Sequence, residues 1–231
     1  MTPARILYLI RYQGPQWFEP QTYFGNNTLK DIYDYEPVQA DWKPEYASLL
    51  KGVQASMWTE FCNKPEDVDY LVFPRLAALA EVAWTQPEHK DWTAFLKGLD
   101  AYNEHLTAKG IVYAHSMYNI QHTVTPNNGM LEVKLECIRP DMEIHYTTDG
   151  SEPTATSPLY EKIVPVKEAL TLKVQLCARQ TDGKDIDTSC PMEPGYRQTC
   201  TGNQSGRKAP DEWNTRKPEI FGFRVVLMGG Q

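Results

Sequence analysis

The hydrophobic pattern changes near residue 120, and this change restricts the possible folds more than any other feature of the chain. Before it, apolar residues recur at helical spacing, as at Phe95, Leu99 and Tyr102. After it, residues 130–137 alternate between apolar and polar side chains, which is typical of a half-buried strand. The chain therefore combines an α/β segment with an all-β segment, and we predict two domains.

Length and composition narrow the class of protein further. The chain has 231 residues, fewer than the roughly 250 of a complete (β/α)₈ barrel, so we expect any barrel beside a second domain to be partial. With 41% hydrophobic and 23% charged residues, the composition is that of a globular protein rather than a disordered or fibrous one. The net charge of −7 argues against a nucleic-acid partner. No apolar run approaches the roughly 20 residues of a membrane span, so we predict no membrane partner.

The α/β segment begins with short apolar runs and a long polar stretch. Residues 6–10 and 52–58 predict two buried strands. Between them, residues 13–48 are rich in Pro, Gly and aromatic side chains and predict a long loop with short helical turns. The length of this loop favours a functional role.

Two helices are predicted next. Residues 65–84 are apolar around most of the helix circumference, which predicts burial on several sides and a buried Trp84 at the end. Pro74 is expected to kink or split this helix. Residues 91–110 predict a second helix, with Asp91 as its N-cap.

The all-β segment shows four strand patterns and two turn signals. The turns are expected at Asp149-Gly150 and Asp182-Gly183. Short strands with frequent turns indicate a small antiparallel sandwich. The predicted strands are residues 130–137, 143–146, 159–163 and 170–177.

Cysteine usage gives no metal or disulfide motif. The five cysteines are Cys62, Cys137, Cys177, Cys190 and Cys200. Their spacing matches no metal-binding pattern, so we predict no metal site and favour free thiols. A bridge between Cys137 and Cys177, which lie in two strand-like runs, stays open.

Three motifs of the first segment and one of the second carry a family resemblance. They are YDYEP at residues 33–37, GVQASMWTE at 52–60, FPRLAALAEVAW at 73–84 and IHYTTDGSEPT at 144–154. The first three resemble, in order and spacing, the end of the catalytic barrel of glycoside hydrolase family 20, the β-N-acetylhexosaminidases. The fourth is similar to the small C-terminal β-sandwich often appended to these enzymes.

The resemblance implies a fold of two classes in succession. It predicts α/β plus all-β: the last units of a (β/α)₈ TIM barrel over residues 1–118, then a small immunoglobulin-like β-sandwich over 119–189. Residues 190–231 do not resemble the family and are left unassigned. We expect a loosely attached or disordered extension there, although residues 222–227 are strand-like.

The resemblance also implies which residues bind sugar. Trp58 would line the subsite for the non-reducing N-acetyl sugar, and Glu60 would bind its outer hydroxyls. These two residues follow a predicted barrel strand, at the end where barrels build active sites, and two-residue spacing lets them point the same way. Tyr8 stands where the family has the Tyr of a Tyr-x-Asp motif, although Ile10 replaces the Asp. If the family resemblance is set aside, the pattern also fits a Trp58 that packs in the core at the end of the strand and a Glu60 that caps the next turn.

The reaction implied is hydrolysis of terminal, non-reducing N-acetyl-D-hexosamine residues, without metal or organic cofactor. In this family the substrate's acetamido oxygen attacks the anomeric carbon, and an adjacent Asp-Glu pair orients it and protonates the leaving oxygen. The only Asp-Glu here is Asp211-Glu212, which lacks the surrounding motif and is rejected as the catalytic pair. We therefore expect a truncated chain that is inactive alone, with N-acetylhexosamine-containing glycans as its partners. The alternative is a non-catalytic carbohydrate-binding or structural β-sandwich module.

Three other residues have more than one possible role. Trp17, on the long loop, is open as a second sugar platform. Arg75 and Glu81 lie in an otherwise apolar helix. A buried ion pair or a hydrogen bond to the barrel is favoured over catalysis, because an unpaired buried charge is costly.

Overall fold

A computed structural model describes residues 3–179 and the backbone of residues 221–225, and the structural statements below refer to these ranges. The chain divides into two compact units, Met1–Asn119 and Ile120–Gln231. No helix within the described ranges is both long and apolar enough to cross a lipid bilayer. Asp182-Gly183, Cys190, Cys200 and Asp211-Glu212 lie outside the described residues.

The first unit is mainly helical. Its strands β1 (Arg11–Tyr12) and β2 (Tyr23–Asn26) pair in parallel. Within the described residues the α-helices of this unit are α1 (Leu29–Tyr33), α2 (Pro44–Ala47), α3 (Pro65–Val72), α4 (Arg75–Trp84) and α5 (Trp92–Ala108).

The predicted helices form, with the break where proline requires it. The pattern over residues 65–84 becomes α3 and α4, which are separated at Phe73 and Pro74. Helix α5 begins after Asp91, whose side chain accepts a hydrogen bond of 3.0 Å from the backbone N–H of Ala94. Both predictions are confirmed.

The burial predicted for the 65–84 helix is wrong. Helix α4 buries one face, which contacts α1, and this face consists of Arg75, Ala78, Leu79 and Val82. Trp84 is 90% exposed rather than buried, and Leu76 is 40% exposed. The sequence pattern records that the helix is apolar all round, whereas burial depends on which elements lie beside it.

The two predicted strands of the first unit are also wrong as regular strands. Residues 6–10 and 52–58 meet only at a single parallel bridge between Tyr8 and Ser56. Four of the five carbonyls of residues 6–10 accept hydrogen bonds from side chains of other segments, as described below, and no ladder extends from the bridge.

The second unit contains two three-stranded sheets, each antiparallel. One has the order β3-β4-β6 and the other β5-β7-β8. Fully buried Val133, Val166 and Leu172 face the core. The strands are β3 (Gln121–Asn127), β4 (Met130–Glu136), β5 (Met142–Thr147), β6 (Val164–Val166), β7 (Leu170–Ala178) and β8 (Phe221–Val225).

Three of the four strand patterns in this unit coincide with strands, and one does not. Residues 130–137, 143–146 and 170–177 correspond to β4, β5 and β7. Residues 159–163 form only an isolated bridge at Leu159. The regular strand β6 begins at Val164 instead, because Leu159 and Ile163 are 40% and 45% exposed and do not enter the core.

Two other features of this unit bear on the sequence predictions. Strand β8 lies within the 190–231 region left unassigned, and it pairs with β7 from Leu170 to Val174. The Asp149-Gly150 turn is present, with Gly150 at φ +81°. Cys137 and Cys177 are not joined to each other by a disulfide, and burial raises the pKa of the Cys137 thiol to about 11.

Candidate functional site

The segment that carries Tyr8 is held in place mainly by buried polar side chains. The Asn27 side-chain amide donates to the carbonyls of Ile6 and Tyr8. Thr22 Oγ1 donates to the carbonyl of Ile10. These bonds satisfy carbonyls that a neighbouring strand would satisfy in a sheet, which explains why the segment is ordered without being a regular strand.

Arg75 completes this support from helix α4. It is fully buried, and its guanidinium donates to the carbonyls of Leu9, Arg11, Asn27 and Leu71 at 2.5–3.1 Å. Desolvation lowers the pKa of Arg75 to about 9, against an opposing effect of Glu19, so the group is charged at neutral pH. Of the two alternatives for Arg75, the hydrogen-bonded one is confirmed; within the described residues it forms no ion pair with Glu81.

The bridge at Tyr8 brings together the segments of the three predicted sugar-binding residues. The backbone N–H of Leu9 donates to Ser56 O, and that of Ser56 donates to Leu7 O, both at 2.8 Å. Two residues beyond Ser56, Trp58 is 53% exposed, and Glu60 is exposed as well. Tyr8 is half-buried. Trp58 and Glu60 are therefore accessible to a ligand rather than buried as a core tryptophan and its neighbour would be.

A second buried network fixes the loop that follows β1. Glu19 accepts hydrogen bonds from the backbone N–H of Gln13 at 2.7 Å and from Ser116 Oγ at 2.6 Å. The side chain of Gln13 donates to Tyr70 O at 2.6 Å. Burial raises the pKa of Glu19, and the hydrogen bonds from Ser116 and Gln13 and the charge of Arg75 oppose this.

Arg11 lies on the exposed side of the same segment. Its guanidinium carbon is 5.8 Å from the ring centroid of Tyr23 and 5.9 Å from that of Phe24. Phe24 is 69% exposed, so this cluster faces solvent. Arg11 and Glu19 belong to none of the sequence motifs, and their one signal in the sequence is a charged residue placed between apolar or aromatic residues.

The structure also shows the surroundings of other residues that were singled out from the sequence. Glu36 of the YDYEP motif accepts a 2.7 Å hydrogen bond from Lys90, and this lysine also lies 5.0 Å from the ring centroid of Tyr33. Trp17 is 64% exposed, so its role as a sugar platform stays open. Within the described residues, no group of three or more His, Cys, Asp or Glu side chains is placed to hold a metal ion.

Comparison with known families finds that two segments of the chain are similar to glycoside hydrolases. The family model described as "Glycosyl hydrolase family 20, catalytic domain" matches residues 1–87. The model described as "Chitobiase/beta-hexosaminidase C-terminal domain" matches residues 126–188. The two segments are therefore similar to part of a family 20 catalytic domain and to a β-hexosaminidase C-terminal domain.

Individual relatives show the same similarity. The chain is 32% identical over 193 residues to a beta-hexosaminidase of Porphyromonas gingivalis, a match that covers 80% of this chain and 24% of that protein. It is 41% identical over 101 residues to a beta-N-acetylhexosaminidase of Cellulomonas fimi, covering 41% of this chain and 19% of the relative. The chain thus spans about a quarter or less of the length of these curated relatives.

Among solved structures, one similar chain is a family 20 exo-β-N-acetylglucosaminidase from Vibrio harveyi in complex with N-acetylglucosamine. It is 34% identical, with a TM-score of 0.42, and the match covers 50% of this chain and 18% of that one.

Proposed function

We propose that this chain carries the sugar-binding edge of a β-N-acetylhexosaminidase, with Trp58, Glu60 and Tyr8 contacting the terminal N-acetylhexosamine. The observation that carries the proposal is the exposed Trp58 and Glu60 beside the Tyr8–Ser56 bridge, inside the segment that matches the family 20 catalytic domain. The indole of Trp58 offers a flat apolar surface to a sugar ring, and Glu60 offers carboxylate oxygens to its hydroxyls.

The proposal includes the architecture. Residues 1–118 are part of a (β/α)₈ barrel, and residues 119–189 form an immunoglobulin-like sandwich. The family matches over 1–87 and 126–188 support this division, as do the two antiparallel sheets of the second unit. Residues 221–225 add β8 to one of these sheets.

The reaction served by this edge is hydrolysis of terminal, non-reducing N-acetyl-D-hexosamine residues by substrate-assisted, retaining catalysis. We propose that the 231-residue chain does not perform it alone. Its only Asp-Glu dipeptide, Asp211-Glu212, lies far along the sequence from the family 20 segment, so the general acid is missing. Purified chain should release nitrophenol from a nitrophenyl N-acetylglucosaminide no faster than the Glu60→Ala variant. Faster release by the unmodified chain would contradict this part of the proposal.

Calorimetric titration with N-acetylglucosamine tests the binding role directly. Trp58→Ala should weaken binding by about tenfold or more, because the stacking surface is lost. Trp84→Ala is the matched control, since Trp84 is an even more exposed tryptophan outside the proposed site. Its binding should equal that of the unmodified chain. Binding that survives Trp58→Ala would favour the alternative of a non-catalytic carbohydrate-binding module.

A further inference from the structure

The turn between β3 and β4 carries the one asparagine-glycine pair of the sequence, Asn128-Gly129. Asn127 and Met130 are paired in the register of the two strands, so these two residues alone form the connection. Asn128 lies at φ +48° and Gly129 at φ +77°. Both values are positive, as a two-residue type I′ hairpin turn requires, and Asn-Gly is a favoured sequence for that turn. The Asn128 side chain and the backbone nitrogen that follows it therefore lie at the tip of a defined turn.

Both groups of this pair are accessible. Asn128 and Gly129 are exposed, and within the described residues neither the Asn128 amide nor the Gly129 N–H takes part in a hydrogen bond. A Cβ placed on Gly129 would meet no atom within 4 Å. The neighbouring Asn127 is restrained by comparison, because its side chain donates a 2.7 Å hydrogen bond to Glu132 Oε1.

The Asp149-Gly150 turn of the same unit provides a contrast. The carboxylate of Asp149 accepts hydrogen bonds from the hydroxyl of Ser151 at 2.6 Å and from its backbone N–H at 2.9 Å. These bonds lower the pKa of Asp149, so its carboxylate stays ionised and is a poor electrophile. The uncharged Asn128 amide has neither restraint.

We propose that Asn128 is a site of spontaneous deamidation. The backbone nitrogen of Gly129 attacks Asn128 Cγ and forms the C–N bond of a five-membered succinimide ring. The bond from Cγ to Nδ2 breaks, and Nδ2 leaves as ammonia with the proton that the Gly129 nitrogen loses. Water then opens the ring at either carbonyl, which gives aspartate or iso-aspartate at position 128. The reaction uses water alone and none of the proposed sugar-binding residues.

Both products change the hairpin that β3 and β4 form. Either product adds a negative charge to a turn beside the carboxylate of Glu132, which Asn127 contacts. Iso-aspartate also adds one methylene to the backbone of a turn whose length sets the strand register. Strand β3 lies at the end of the order β3-β4-β6 and pairs only with β4. The modification should therefore weaken the pairing of β3.

Ageing of the whole chain at mildly alkaline pH tests the proposal. The chain is held below its melting temperature in water enriched in the heavy oxygen isotope, and its peptides are sequenced by mass spectrometry. Asn128 should become aspartate and iso-aspartate and incorporate one heavy oxygen atom. It should react at least about tenfold faster than Asn127 in the same peptide, because Gly129 presents no side chain to the ring that forms, whereas Asn128 does.

Two variants assign the reaction to this pair. Asn128→Gln should slow labelling at position 128 by about tenfold or more, because the longer side chain would have to close a six-membered ring, which constrains one more torsion. Asn63→Gln is the matched control, since Asn63 is an exposed asparagine of the first unit, and it should leave labelling of Asn128 unchanged. An Asn128 that stays unmodified, equal conversion of Asn127, or an equal rate in Asn128→Gln would overturn the proposal.

Discussion

Around Tyr8, buried polar side chains donate the hydrogen bonds that a neighbouring strand would donate in a sheet. Asn27 and Arg75 together donate hydrogen bonds to the carbonyls of four residues between positions 6 and 11. Each of these carbonyls would be costly if buried without a donor. The orientation of the candidate site therefore depends on two side chains that lie far from it along the chain.

The buried carboxylate of Glu19 makes the stability of the first unit depend on pH. Burial raises the pKa of Glu19 above its ordinary 4.5, so the folded state holds the proton more tightly than the unfolded state. The stabilisation of the folded state by protonated Glu19 is therefore fully present below pH 4.5. It is lost as the pH rises through the folded-state pKa of Glu19. Urea unfolding at several pH values should show the stability of the unmodified chain, relative to Glu19→Gln, falling from pH 4.5 towards neutrality.

The difference in the free energy of unfolding between the unmodified chain and Glu19→Gln cancels the contributions of the other carboxylates. Glu88→Gln serves as the control, because Glu88 is exposed, and it should show the same pH dependence as the unmodified chain. A stability difference for Glu19→Gln that stays constant or increases with pH would contradict the role of burial.

Single residues were predictable only where a motif surrounds them. Trp58 and Glu60 stand in a nine-residue motif and are both exposed, and their roles in sugar binding stay predictions. Arg11 and Glu19 were missed because their contacts come from segments distant in sequence, such as Ser116 for Glu19. Trp84 was misjudged because an apolar pattern does not say which face of a helix is covered.

At the scale of elements, helices were predicted better than strands. The period, the cap and the proline break of α3, α4 and α5 are local properties of the chain. A strand, by contrast, requires a partner, and the apolar run at residues 6–10 finds side chains instead. Strand β3 was missed since its pattern is largely exposed and it contains Pro126.

The Asp91 cap provides a test at this scale. Replacing Asp91 by Ala removes the acceptor for the Ala94 N–H and should lower the free energy of unfolding by about 1 kcal/mol. Asp91→Asn keeps an oxygen in the same position and should recover most of this loss. Denaturant unfolding of the unmodified chain and the two variants measures these changes in the free energy of unfolding. Equal losses in both variants would assign the effect to the charge of Asp91 rather than to the cap.

At the scale of the whole molecule, the second unit depends on residues far apart in the sequence. Strand β7 is paired with β5 along its second half and with β8 along its first. The sequence pattern at residues 222–227 was strand-like but could not reveal its partner, because more than 40 residues separate β7 from β8. Such non-local pairing is the information that a local pattern lacks.

Deletion of β8 should weaken this unit selectively. Without residues 221–231, Leu170–Val174 lose the strand that pairs with them, and fully buried Leu172 is left at a sheet edge. Amide hydrogen exchange in that stretch of β7 should accelerate by at least about tenfold, while exchange in α5 of the first unit stays unchanged. Deletion of residues 226–231 alone is the matched control, since it leaves β8 intact. If both deletions leave the β7 amides equally protected, β8 does not contribute to the sheet.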